Sequence, residues 1–297
     1  MTASAFRCAV ASEGLTEPIA GTASTVRAFL LVECGGPWGV DAVRDCRLPD
    51  PVKERLTELE RRHRVRPLLI RRPGRQAAGS MRVFAGYVDR DGPWLESAEI
   101  TDPGELCDLD VTGLAQGRSP GMRPHREPVF LVCTHGRHDA CCAERGRPLA
   151  AALATEAPEN TWEVSHIGGD RFAGNVLVLP HGLYYGRLQP EHAADFTARH
   201  LAGQLDLEHL RGRSSYPFAV QAAEIHLRHR LGLVTLAPPT LVTCAREGDQ
   251  TRAVFAVDGS RWEVRIRSRS QPARRLTCHA SRDGVGALQE LVGIDQI

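Results

Sequence analysis

The amino-acid sequence predicts an α/β protein, two similar halves followed by a small α+β extension. Three observations carry this. Apolar runs of strand length recur along the chain, segments with helical spacing or composition alternate with them, and a stretch rich in Gly, Pro and Asp interrupts the pattern near the middle.

In the first half, the run Val26-Arg-Ala-Phe-Leu-Leu-Val32 suits a buried strand and ends in the loop Glu33-Cys-Gly-Gly-Pro-Trp-Gly39. A helix follows, because Pro51 fits a first turn and Val52, Leu56 and Leu59 share one face, with Glu54, Glu58, Arg61 and Arg62 opposite. Arg66–Arg71 and Met81–Val88 read as strands around the turn-rich Arg72–Gly79. The interval from Asp102 to Pro128 has no clear period and reads as a linker. The order then repeats: a strand at Val129–Val132, a loop bearing glycine and cysteine, an alanine-rich helix at Pro148–Glu156, strands at Trp162–His166, Asn175–Leu179 and Leu183–Arg187, and a closing helix at Pro190–Leu205. The shared order raises the question of an internal duplication. A helix at Ala219–Leu231 and strands at Thr240–Ala245, Arg252–Val257 and Trp262–Arg267 make up the extension. The expected domains are therefore 1–122, 123–206 and 207–297.

Composition bounds the function. The 297 residues are 42% hydrophobic and 25% charged, a globular balance. Basic residues number 37 against 36 acidic ones, so no global charge speaks for nucleic acid or an anionic membrane. No apolar run approaches the roughly 20 residues that span a bilayer. The first twenty residues hold Glu13 and Glu17 and show no basic leader with an apolar block, which predicts a cytoplasmic protein. Nine cysteines, an odd number, argue against a disulfide framework. Cys8, Cys34, Cys46, Cys107, Cys244 and Cys278 are scattered and read as small buried residues. Arg261, Arg265, Arg267 and Arg269 alternate with Trp262, Val264 and Ile266, which puts the guanidinium groups on one strand face. That face reads as a solvated edge strand or as a docking patch for an acidic redox partner.

Chemistry concentrates in Cys133-Thr-His-Gly-Arg-His-Asp-Ala-Cys-Cys142 and Trp162-Glu-Val-Ser-His-Ile-Gly-Gly-Asp-Arg-Phe-Ala-Gly-Asn175. Cys133 ends a strand. Cys142 stands where a helix should begin, and a helix amino terminus favours the thiolate, the form that binds metal. His166 ends the next strand, and Gly168 and Gly169 allow a tight turn that returns Asp170 and Arg171 beside it. Cys141 reads as a small buried residue facing away from the loop.

These strings, Cys-Thr-His-Gly at 133–136, Asp-Ala-Cys-Cys-Ala at 139–143 and His-Ile-Gly-Gly at 166–169, resemble the sucrase/ferredoxin-like family. Weaker likenesses include Gly36-Pro-Trp-Gly39, Tyr185-Gly-Arg187 and Arg211-Gly-Arg-Ser214, so the resemblance spans most of the chain. It implies a thioredoxin-like ferredoxin domain in the second half, preceded by a similar α/β half. It also implies a [2Fe-2S] cluster held by two cysteines, matching Cys133 and Cys142, and two histidines spaced His-x-x-x-His. His166 matches the first histidine, and Asp170 stands at the second; Cys141, His135 and water are the other candidates for that fourth place. The function implied is single-electron transfer to a redox partner protein not identified by the sequence, more a carrier than a catalyst. No paired carboxylates support a glycosidase. A structural zinc site and a thioredoxin-like thiol redox protein are the competing readings.

Overall fold

A computed structural model describes residues 6–74, 79–89 and 92–297, so the middle of the turn expected at Arg72–Gly79 lies outside the described residues. Helix α1 (Cys8–Gly14) precedes strand β1 (Ala28–Glu33), whose residues Phe29, Leu30, Leu31 and Val32 are all buried because both faces of the strand are covered. The short α2 (Ala42–Asp45) leads to α3 (Asp50–His63), which buries Val52, Leu56 and Leu59 as their spacing requires. Strands β2 (Val65–Arg71), β3 (Met81–Tyr87) and β4 (Trp94–Ile100) complete the first unit. β4 gave no strand signal because the charged Glu96 and Glu99 break its apolar pattern.

The interval expected as a linker is instead partly packed. It holds α4 (Glu105–Asp108), a single helical turn and the two-residue strand β5 (Arg123–Pro124). Leu106, Val111 and Leu114 enter the same core as Val52 and Leu56. Isolated anchors of this kind have no period and escape a pattern search.

The second unit comprises β6 (Val129–Cys133), α5 (Ala140–Glu156), β7 (Thr161–Val164), β8 (Val176–Leu179), β9 (Leu183–Tyr185) and α6 (Ala193–Leu201). α5 begins at Ala140 rather than at Pro148, which lies inside the helix. The start is set by Asp139, whose carboxylate accepts the Cys141 N–H at 2.9 Å. Beyond it lie β10 (Leu210–Arg213), α7 (Phe218–Leu231), β11 (Thr240–Glu247), β12 (Gln250–Val257), β13 (Ser260–Ser270) and β14 (Ala287–Gln296).

Ten strands form one sheet in the order β10-β9-β8-β6-β7-β2-β1-β3-β4-β5. In each unit the first two strands are parallel and the third and fourth add antiparallel on the other side. With α5 and α6 packed into one core on the same face, the second unit has the thioredoxin-like arrangement. The units join where β2 runs antiparallel to β7 and Ile70 faces Val164. Glu33 pairs with Ile70 in the first unit and Cys133 with Val164 in the second, so Glu33 and Cys133 occupy equivalent places about this seam. Strand alternation sends Leu30 and Val32 beneath α3 and sends Phe29 and Leu31 to the other face, where they meet Leu131, Cys133 and Trp162 of the second unit.

β10, which the expected boundary assigned to the extension, is hydrogen-bonded to β9 in the large sheet. The extension proper is the four-stranded sheet β11-β12-β13-β14, with α7 packed between it and β10. β13 is flanked on both sides, so the edge-strand reading of its arginines is corrected. Arg265 lies 2.6 Å from Asp295, Arg267 3.4 Å from Asp249 and Arg269 2.9 Å from Glu290, so neighbouring carboxylates match this face instead of leaving a bare cationic patch.

Candidate metal centre

Cys133 is the last residue of β6, and Cys142 lies in the first turn of α5. Both are fully buried, at 1% and 0% exposure. The approach of helix to strand depends on Gly146, one turn after Cys142 on the same helix face. A Cβ at Gly146 would overlap the Cys133 carbonyl oxygen and stand 3.0 Å from its carbonyl carbon.

His166 follows β7, and the turn after it uses Gly168 and Gly169 at φ +94° and +81°, where a side chain would be strained. Asp170 opens the next helical turn and is buried. Arg211 clamps this loop from β10. Its guanidinium donates to Gly168 O and Asn175 Oδ1, both at 2.9 Å, and to Thr22 O at 2.6 Å, while Asn175 in turn donates to Gly169 O. Its burial lowers the Arg211 pKa to about 10.

The structure brings the four sequence-predicted residues together. The Cys142 thiol donates to Asp170 Oδ1 at 3.2 Å, and the same oxygen lies 2.9 Å from His166 Nδ1. Cys133 interacts with both Cys142 and His166. The His166–Asp170 contact is a close ion pair rather than an aligned hydrogen bond, so the buried His166 Nδ1 keeps an unused position.

The other candidates for the fourth place are disposed differently. His135 has both ring nitrogens engaged, Nε2 donating to Gly39 O at 2.7 Å and Nδ1 accepting the His166 N–H at 3.2 Å. It therefore positions the His166 loop and ties it to the first unit. Cys141 contacts Cys278 at 3.4 Å, away from the centre. His138 is the residue the sequence reading passed over. Its ring stacks on His166 with centroids 3.7 Å apart, and its Nε2 lies 3.8 Å from Asp170 Oδ2. The second His of Thr-His-Gly-Arg-His was the available signal, but only the fold shows that it reaches back over the centre.

Charge is arranged to suit a cation. The hydrogen bond from Cys142 pulls the Cys133 pKa well below the usual thiol range against the cost of burial, with His166 adding to it. Cys142 moves well above that range, since Cys133 and burial both disfavour a second thiolate. Burial disfavours the His166 imidazolium, yet Asp170 and Cys133 outweigh it and raise its pKa to about 9. Asp170 stays below the ordinary carboxylate range because His166 overcomes its burial. The two thiols face the core, whereas His135, His138 and His166 line an open groove of about 420 Å³ together with Arg66 and Val40.

Fold and centre together define a class: a twofold-repeated α/β scaffold carrying one thiolate–imidazole–carboxylate donor set at the end of a thioredoxin-like unit. The sucrase/ferredoxin-like family profile matches residues 19–212, and the chain belongs to that family. Curated relatives carry the name altered inheritance of mitochondria protein 32. The Saccharomyces cerevisiae protein is 50% identical over 50 residues, 16% of either chain. The Kluyveromyces lactis protein is 31% identical over 101 residues, 29% of this chain and 31% of its own. The chain thus spans less than a third of the length of these relatives. A solved structure similar to part of the chain is a thioredoxin-like [2Fe-2S] ferredoxin from Aquifex aeolicus, at 18% identity and a TM-score of 0.28 over 31% of this chain and 97% of that one. Among the described residues no helix is long and apolar enough to cross a membrane.

Proposed function

We propose that Cys133, Cys142, His166 and Asp170 hold a [2Fe-2S] cluster and that the protein carries single electrons to and from a partner protein. The observation that carries this reading is Asp170 Oδ1 lying 3.2 Å from Cys142 Sγ and 2.9 Å from His166 Nδ1, with the buried Cys133 interacting with Cys142 and His166, on a chain of the sucrase/ferredoxin-like family. The residues present fit the group. They offer two sulfurs, one of them already inclined to thiolate, a carboxylate, and a buried imidazole nitrogen with an unused position.

When bound, the cluster would supply reversible one-electron uptake. The chain supplies the rest. Cys133 and Cys142 keep the sulfur side dry, Arg211 and the Gly168–Gly169 turn hold Asp170 in place, and His135 fixes the His166 backbone. The histidine-lined groove is the side on which a partner can approach closely. Asp170 in place of a second histidine adds one negative charge, which lowers the reduction potential relative to a centre with two cysteines and two histidines. Free thiols at all nine cysteines suit a reducing compartment such as the cytoplasm, and the balanced charge suits neither nucleic acid nor a membrane surface.

A mononuclear zinc ion on the same four residues is the second reading. The short Cys142–Asp170 and His166–Asp170 distances resemble the edges of a single tetrahedron. A nucleophilic thiol is disfavoured because neither cysteine is accessible.

Anaerobic purification with a visible spectrum and iron, sulfide and zinc analysis separates the two. Two irons and two sulfides per chain with visible colour support the cluster, and a colourless protein with one zinc lost from a Cys133→Ser variant supports the zinc ion. Asp170→His should retain the colour and raise the potential by on the order of 100 mV. An Asp170→Ala variant with a full, unshifted cluster removes Asp170 from the ligands.

A further inference from the structure

A second donor cluster stands on the other side of the α5 amino terminus. Cys8, Asp139, Cys141 and Cys278 bring their sulfur and carboxylate atoms within 4.8 Å of one another, and all four residues are buried. They come from three separate parts of the chain: the first turn of α1, the start of α5, and the connection between β13 and β14. Read singly in the sequence, Cys8 and Cys278 are unremarkable small residues, and only the fold brings them to Cys141.

We propose that these four residues form a second, structural metal site for a tetrahedral thiophilic cation of the zinc class. With thiolate bonds of about 2.3 Å and a carboxylate bond of about 2.0 Å, a tetrahedron has sulfur–sulfur edges of about 3.8 Å and sulfur–oxygen edges of about 3.5 Å. Cys141 Sγ lies 3.4 Å from Cys278 Sγ, Cys278 Sγ lies 3.6 Å from Cys8 Sγ, and Cys8 Sγ lies 3.6 Å from both Asp139 oxygens. Three of the six edges therefore stand within a few tenths of an ångström of the required lengths, and all four donors lie within 4.8 Å of one another.

The surroundings are built to hold them there. Asp139 accepts the Cys141 N–H at 2.9 Å and the Cys278 N–H at 2.6 Å, which fixes two ligand-bearing segments to one carboxylate and leaves each oxygen a second lone pair. The Cys8 N–H points at Cys278 Sγ from 3.5 Å, the kind of contact that stabilises a thiolate. Bound metal would fasten α1 and the β13–β14 connection to the residue next to Cys142, so two metal sites would sit back to back on one helix start. The second would act as a clasp, and its role is independent of what Cys133 and Cys142 bind.

The test uses the full chain, stripped by chelation under reducing conditions and titrated with Co²⁺, whose tetrahedral thiolate complexes have characteristic charge-transfer and d–d bands. The stripped wild-type chain should show these bands and stripped Cys278→Ser should bind one equivalent of Co²⁺ less, whereas Cys278→Ser purified anaerobically without stripping should keep the iron, sulfide and visible spectrum of the Cys133 centre. A Cys133→Ser variant should retain the Cys278-dependent bands. Failure of the cluster assignment at Cys133 is thereby read separately from failure of this site. Unchanged metal stoichiometry in Cys278→Ser, or a Cys141–Cys278 disulfide in the wild-type peptide map, overturns the proposal. Should Cys278→Ser misfold by circular dichroism, differential alkylation of the wild-type chain decides. Zinc-dependent protection of Cys8, Cys141 and Cys278 is expected, and labelling indifferent to zinc overturns it.

Discussion

Adding one methyl group at Gly146 probes how closely α5 must lie against β6 for Cys133 and Cys142 to share a metal. A Cβ there would overlap the Cys133 carbonyl oxygen, with the carbonyl carbon at 3.0 Å and Thr134 Cγ2 at 3.4 Å. Non-bonded contacts settle near about 3.5 Å, so the helix start and the strand end must part by roughly 1 Å. Metal–ligand distances tolerate only about 0.2 Å, so the separation is several times what a shared centre can absorb. The fold faces a smaller change. Overpacking costs about 1–3 kcal/mol, and alanine regains about 1 kcal/mol of helix propensity over glycine. Gly146→Ala should therefore fold, with stability reduced by about 0–2 kcal/mol, but lose most of its iron and visible absorption after anaerobic reconstitution. Circular dichroism, urea unfolding and iron analysis on one preparation give all three quantities. A folded Gly146→Ala protein with wild-type iron content and an unshifted spectrum would refute the argument that this close approach serves the centre.

Further outcomes follow from groups outside the proposed ligand set. His200 is buried among Phe130, Tyr185 and Phe196, and burial, aided by the nearby His181, lowers its pKa to about 3. The folded state thus binds the proton less readily than the unfolded chain, whose histidine titrates near about 6.5. Its contribution to stability is complete above pH ~6.5 and is lost as pH falls from there toward ~3, with about 2 kcal/mol gone by pH 5. His200→Phe should remove that part of the acid sensitivity, and urea unfolding of both proteins at pH 7.5 and pH 5 measures it; equal losses in the two would contradict the assignment. Arg211→Met leaves the Gly168 and Thr22 carbonyls and Asn175 Oδ1 without their donor, which should cost at least about 3 kcal/mol. It should also loosen the Asp170 loop, seen as faster loss of bound metal to a chelator; unchanged stability and release rate would mean the clamp is dispensable.

The four residues proposed as ligands could be picked out in the sequence because each sits at or near the end of a regular element, where strand and helix signals mark loop positions and where glycines record a tight turn. What the sequence hid was distance. Cys278 reads as one more small residue until a strand pair returns it to α5, and His138 reads as a loop residue until its ring is seen over His166. Arg211 lay in a weak motif with no assigned task, since a buried clamp has no periodic signature. The repeat of the two units was legible only as an order of elements, yet the register makes it physical. Ile70 and Val164 face each other across the seam, and their parallel partners are Glu33 and Cys133. The first unit thus places a carboxylate where the second places a thiol. Glu33 is spent on its own sheet, accepting the Arg82 N–H at 2.8 Å, and Cys34, one residue on, interacts with Cys46 instead of reaching a histidine. The same scaffold therefore occurs twice but, among the described residues, carries the Cys/His/Asp donor set once. What distinguishes the halves is the side chain at one strand end, together with the glycine that lets a helix close over it.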